Sequence, residues 1–133
     1  MIDPTQLNLP DVLAEVETAC ECYERALVAN DVAVLDELFW NHPMTLRFGA
    51  TENLWNYDEI AAFRASRPSQ GLQRRIVRRV IQTFGRDFAT ASVQFERDSA
   101  PGRVGRQQQT WVRMPEGWRV VAAHVSLMAA PAA

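Results

Sequence analysis

The chain contains no lysine: all fourteen of its basic residues are arginine, against sixteen acidic ones. That lack fits a GC-rich coding sequence better than any chemical requirement. No apolar run approaches the roughly 18 residues of a membrane span, and no charged start followed by an apolar core marks a secretory leader. Both absences lead us to expect a cytoplasmic protein that crosses no membrane. Cysteine is scarce: Cys20 and Cys22 lie two apart, which on a helix points them to nearly opposite sides, so they form neither a bridge nor a CxxC redox pair. Cys20 reads as a small core residue and Cys22 as an incidental thiol. The two histidines, His42 and His124, are far apart in sequence and give no metal-ligand spacing, so neither a metal nor a cofactor is expected.

What is present is a chain of 133 residues, 47% hydrophobic and 23% charged, with a formal net charge of −2. That is one domain able to bury a core. The cluster Arg74, Arg75, Arg78 and Arg79 suggests a basic patch. In a strand these residues split between two faces, however, and the acidic balance argues against nucleic acid. A solvated edge or ion pairing at a dimer face is the expected role.

Residues 1–7 read as a loose lead-in, 8–128 as a single domain and 129–133 as a frayed tail. Asn8 is placed to cap a helix, with Pro10 in its first turn and Asp11 suited to the dipole. Leu9, Val12, Leu13, Val16, Cys20, Tyr23 and Leu27 recur at three and four, so the helix is long and amphipathic and Tyr23 lies on its buried stripe. Asn30–Asp31 ends it and starts a short second helix through Leu35, Leu38 and Phe39. Residues 44–49 predict the first strand. Asn56 and Glu59 resemble a capping box ahead of a third helix with Ile60 and Phe63 inward, stopped at Pro68.

Residues 72–84 fit a helical stripe in their apolar spacing but a strand in their β-branched content; the run of strands that follows favours strand. Phe88–Arg97, Arg103–Arg113 and Trp118–Met128 are then long strands joined by hairpins. Three helices early and four long strands late predict an α+β domain: helices packed on a curved antiparallel sheet that leaves a cone-shaped pocket.

The candidate site begins with Arg47. In Met44–Gly49 the alternation sets Thr45, Arg47 and Gly49 on one face, so the arginine stands among small residues that leave room for a ligand. Its planar fork of donors suits a carboxylate; the alternative is a surface arginine on an edge strand. Tyr23 is either a packed aromatic with its hydroxyl satisfied or a donor facing the pocket. Alternation along the last strand groups Trp118, Val120, Ala122, His124 and Ser126, with small neighbours beside the imidazole, so His124 and Ser126 are candidate substrate contacts, or His124 a satisfied buried histidine. Gln107, Gln109 and Trp111 share a face; Gln109 is placed to donate to a ligand carbonyl, the alternative being a solvated sheet face. Trp55 is placed either to close the pocket mouth or to plug the core. No activated Ser, Cys or Thr nucleophile is visible. A proton shuttle of the ketosteroid isomerase kind lacks its buried carboxylate base, since Asp87 and Asp98 sit at strand ends.

The element order resembles the nuclear transport factor 2-like, SnoaL-like (cystatin-like) cone. Five segments carry a narrower resemblance: Asp31–Trp40, Leu46–Leu54, Phe84–Phe88, Gly105–Trp111 and Pro115–Ser126. Together they look like the AtzH-like family, over roughly residues 8–128. That resemblance implies a metal-free, decarboxylating amidohydrolase that converts 1,3-dicarboxyurea to allophanate in cyanuric acid breakdown. The alternative is an HpxZ-type protein of oxalurate and purine catabolism, either catalytic or a non-catalytic binding or accessory subunit. Within the family a tyrosine on the first helix and an arginine on the first strand carry the activity, and they match Tyr23 and Arg47. A small-molecule carboxylate is the expected partner. A homodimer is also expected, through outer-face apolar residues such as Val112, Val121, Ala123 and Val125.

Overall fold

Pro10 sets the start of the first helix. In the computed structural model, which describes residues 1–132, α1 runs Pro10–Val28 with Pro10 in its first turn. Asn8 does not cap it. The cap is Leu9, without a side-chain bond; Asn8 takes a left-handed backbone (φ 53°) and its Oδ1 accepts from the Thr83 amide at 2.8 Å. Asn tolerates that conformation, and here it pins the start of the chain to the sheet. Ahead of it Pro4–Gln6 form a 3-10 turn capped by Asp3, and Leu7 bridges Phe84, so this lead-in is ordered rather than loose.

Asp31 caps α2 (Val32–Leu38) by accepting from the Val34 amide. The next strand, β1, spans Leu46–Phe48 and is shorter than the sequence suggests, because Met44 is held in a turn by its amide donating to His42 Nδ1. A short strand absent from the sequence reading, β2 (Asn53–Leu54), pairs with β1. Asn56 caps α3 (Tyr57–Ser66), accepting from the Glu59 amide while its own side chain donates to Glu59. The rest is a meander: β3 (Arg75–Phe84), β4 (Phe88–Glu96), β5 (Arg103–Met114) and β6 (Gly117–Ala129).

The six strands form one sheet in the order β2-β1-β6-β5-β4-β3, antiparallel except that β1 runs parallel to β6. Three helices pack on this curved, unclosed sheet, giving an α+β cone. No helix among the described residues is long and apolar enough to cross a membrane. The core joins the α1 stripe of Val12, Val16, Cys20, Tyr23 and Leu27 to Ala89, Ala91, Trp111 and Val120 of the sheet. The two alanines let the helix lie close. Burial pushes the Cys20 thiol up to about 12, as a small core residue requires.

Two bulges decide which side chains face the helices. In β3 the register shifts between Ile76 and Arg78, leaving Val77 extra. A bulge puts neighbours out of alternation, which is why Ile76, Val77, Val80, Ile81 and Phe84 mimic a helical stripe. In β6, Trp111 pairs with Val120 and Thr110 with Ala122, leaving Val121 extra. Trp118 and Val120 face inward before it, and Ala123 and Val125 after it.

Candidate active site

Arg47 lies mid-sheet. It pairs with Leu54 on one side and Ala123 on the other, and is only 8% exposed. The edge-strand alternative fails because β2 covers the edge. The small Ala123 leaves space beside the guanidinium. Arg47 Nη1 donates to Glu52 Oε1 at 2.9 Å, and Glu52 Oε2 accepts from the Thr51 hydroxyl at 2.6 Å. The loop between β1 and β2 can fold this way because Gly49 lacks a Cβ: one built there would stand 1.7 Å from Glu52 Oε1. Burial raises the Glu52 carboxyl, but the Thr51 hydroxyl and Arg47 outweigh it, and the net shift is below the ordinary glutamate value.

Tyr23, 4% exposed, packs its ring 6.3 Å from that of Phe39. With Arg47 it lines a cavity of about 170 Å³. Roughly 300–1,000 Å³ is usual for drug-sized ligands, so only a small molecule fits here. Its other polar walls include Arg67, Arg97 and Glu52, which the sequence did not single out, and Arg74 and Gln107, which it read as part of a basic patch and of a sheet face. Arg74, whose side chain is wholly buried, grips Glu24 of α1 through Nε and Nη2 at 2.8 and 2.6 Å and also donates to Gln107 Oε1. It is therefore a site wall, not part of a solvated patch. Arg74 and Arg97 lie over the Phe95 ring at 4.5 and 4.9 Å, and Arg67 near that of Phe63 at 5.9 Å.

These cations are poorly compensated. Nε and Nη2 of Arg67, Nη1 of Arg74 and Nε of Arg97 are buried without hydrogen-bond partners among the described residues. Burial first, and Arg47 next, hold Arg67 below the ordinary arginine value. Burial and then Arg74 do the same to Arg97. Arg64 of α3 is buried as well, but it has its own carboxylate, Asp36, at 3.1 Å. A signal for Arg97 existed in the sequence: it shares the alternation of Ala91, Val93 and Phe95. Arg67, which precedes Pro68, carried none.

The remaining predicted residues divide. Gln109 is buried on the inner face, with Oε1 accepting from Trp111 Nε1 at 3.2 Å and Nε2 unpartnered among the described residues; the solvated-face alternative is excluded. His124 and Ser126 face the other way. The Val121 bulge turns them to the outer face, where they line a separate groove of about 540 Å³ with Arg78 and Arg106. They therefore do not share a face with Val120 or meet Tyr23. Trp55, 57% exposed, packs edge-on against Phe48, which packs against His124, so it joins the outer cluster and neither closes the cavity nor plugs the core. Among the described residues no three His, Cys, Asp or Glu side chains gather as metal ligands would.

The profile of the AtzH-like family matches residues 5–131. A solved protein of unknown function from Pectobacterium atrosepticum is 56% identical, with 97% of this chain and 100% of that chain covered and a TM-score of 0.94. A cystatin-like fold protein from Burkholderia xenovorans is 46% identical over 94% and 98% of the two chains, with a TM-score of 0.90. A nuclear transport factor 2-like superfamily protein from Salmonella enterica, at 20% identity, 92% and 93% coverage and a TM-score of 0.69, shares the fold. No curated protein matches the chain.

Proposed function

The chain belongs to the AtzH-like family, and from that premise we propose that it is a decarboxylating amidohydrolase acting on 1,3-dicarboxyurea, or a close urea-like dicarboxylate, to give allophanate. One observation carries the reading: a small cavity lined by four arginines, with both Tyr23 and Arg47 on its wall. Such a cavity suits a small dianion.

In the proposed step the bond between nitrogen and the leaving carboxyl carbon breaks. Carbon dioxide departs, and the electron pair stays on nitrogen, which takes a proton. Tyr23 donates to that nitrogen, or to the neighbouring carbonyl oxygen, as charge grows there, and regains its proton from solvent. Arg47 holds a carboxylate and fixes the substrate against the tyrosine. A donor already aimed at developing charge in a dry cavity needs no reorganisation when the bond breaks. The step uses neither a covalent intermediate nor a metal, and the reading includes a cytoplasmic location.

The test is release of carbon dioxide or bicarbonate from 1,3-dicarboxyurea, with oxalurate in parallel. Turnover of dicarboxyurea supports the reading. Turnover of oxalurate alone would move the protein to the HpxZ-type branch, and tight binding of either without turnover would make it a ligand-binding or accessory subunit.

A further inference from the structure

The arginines of the cavity are of two kinds. Four guanidinium groups line it. Two are already answered from within the protein: Arg47 by Glu52 at 2.9 Å and Arg74 by Glu24 at 2.6 Å. Arg67 and Arg97 have no ion-pair partner among the described residues, and both carry buried nitrogens with nothing to donate to. Two positive charges are thus left over in a place where burial already weighs against each of them. Buried charge without a counter-charge is costly. Arg67 and Arg97 are each half-buried and open to the cavity, so a counter-charge can reach them there from outside.

We infer that Arg67 and Arg97 are the anion-gripping pair of this cavity, and that they select a ligand bearing two negative charges over one bearing a single charge. The assignment rests on the reading of this cavity as the substrate site. It changes the division of labour there. Arg47, neutralised by Glu52, gives direction and hydrogen bonds more than net charge; Arg67 and Arg97 supply the charge that draws in a dicarboxylate. The Phe95 and Phe63 rings beneath them hold the two forks in place without taking up their donors. A substrate that loses one carboxylate also loses its hold on this pair, so the monoanionic product leaves readily.

The test uses malonate as the dianion and acetate as the monoanion, titrated calorimetrically into the full-length protein at neutral pH and low salt. We expect the wild type to bind malonate at least about tenfold tighter than acetate. Arg67→Gln and Arg97→Gln each lose about tenfold in malonate affinity with little change toward acetate, as the loss of one charge-assisted grip requires. Their melting temperatures stay at or above that of the wild type, because an unpaired, half-buried cation has been removed. Arg67→Lys and Arg97→Lys keep the charge without the fork and keep a weakened preference for malonate. Unchanged malonate affinity in both Gln variants overturns the inference, as does a wild type that binds malonate no better than acetate. So does a fall in melting temperature with malonate affinity intact, since that is the mark of a purely structural role. Malonate selectivity without any release of carbon dioxide from dicarboxyurea would sink the proposed reaction and leave this anion pair standing.

Discussion

Tyr23 and Arg47 differ in what a conservative change removes. Phenylalanine at 23 keeps the ring that packs on Phe39 and deletes only the donor. Lysine at 47 keeps a charge and loses the planar fork. If the hydroxyl meets transition-state charge, Tyr23→Phe lowers turnover by about a hundredfold or more at near-normal melting temperature, and Arg47→Lys loses most activity while remaining folded. Steady-state rates and melting curves on both variants check this. A silent Tyr23→Phe would leave the ring as mere packing. Gly49 makes a subtler case. An alanine there collides with the Glu52 carboxylate, which is the end of a flexible side chain and moves aside cheaply. Gly49→Ala should therefore leave the melting temperature within a few degrees of wild type while uncoupling Glu52 from Arg47, and its kinetic defect should match that of Glu52→Gln. Acid tests the same pair. The Glu52 pKa is lower in the folded state than in the unfolded chain, so its stabilising contribution is full above the ordinary glutamate value and is lost as pH falls through its lowered folded value. Melting temperature plotted against pH should fall less steeply in acid for Glu52→Gln than for the wild type.

Between β4 and β5 the packing that seats the arginines depends on one missing side chain. The Phe95 ring lies flat over Gly105, where a Cβ would come within 2.2 Å of it, and the same ring underlies Arg74 and Arg97. Unlike the carboxylate end of Glu52, a fully buried ring cannot swing out of the way. Gly105→Ala should therefore cost about 1–3 kcal/mol by overpacking, read from denaturant unfolding, and should weaken malonate binding as well, because Phe95 must carry its two cations with it. A loss of stability with malonate affinity intact would show that the ring and the guanidinium groups move independently.

At the scale of the whole molecule the homodimer remains a proposal, now on different residues. Val125 and Ala123 face inward and need no cover. The outer sheet face instead exposes Trp55, Val80, Phe88 and Met128, and Val80 also lines the groove that includes His124. Apolar side chains gathered on one exposed face favour association of like surfaces. Light scattering should report twice the chain mass, and Trp55→Asp combined with Val80→Asp should shift it toward the monomer; a monomer for the wild type at every concentration would remove the proposal.

The sequence by itself determined the order of the three helices and of the long strands, and the buried stripe of α1, because these follow from local periodicity and turn chemistry; the pairing of Tyr23 with Arg47 came from the family resemblance, not from periodicity. It could not determine which way β6 faces beyond Val121. A bulge is set by pairing with a neighbouring strand, and one extra residue reverses every side chain after it. This moved His124 and Ser126 out of the site. Nor could the sequence bring Arg67, Arg74 and Arg97 together, since they come from the end of a helix, the approach to one strand and the end of another. Only tertiary packing sets them around one cavity, and only the assembled fold leaves two of them, half-buried there, without an ion-pair partner among the described residues.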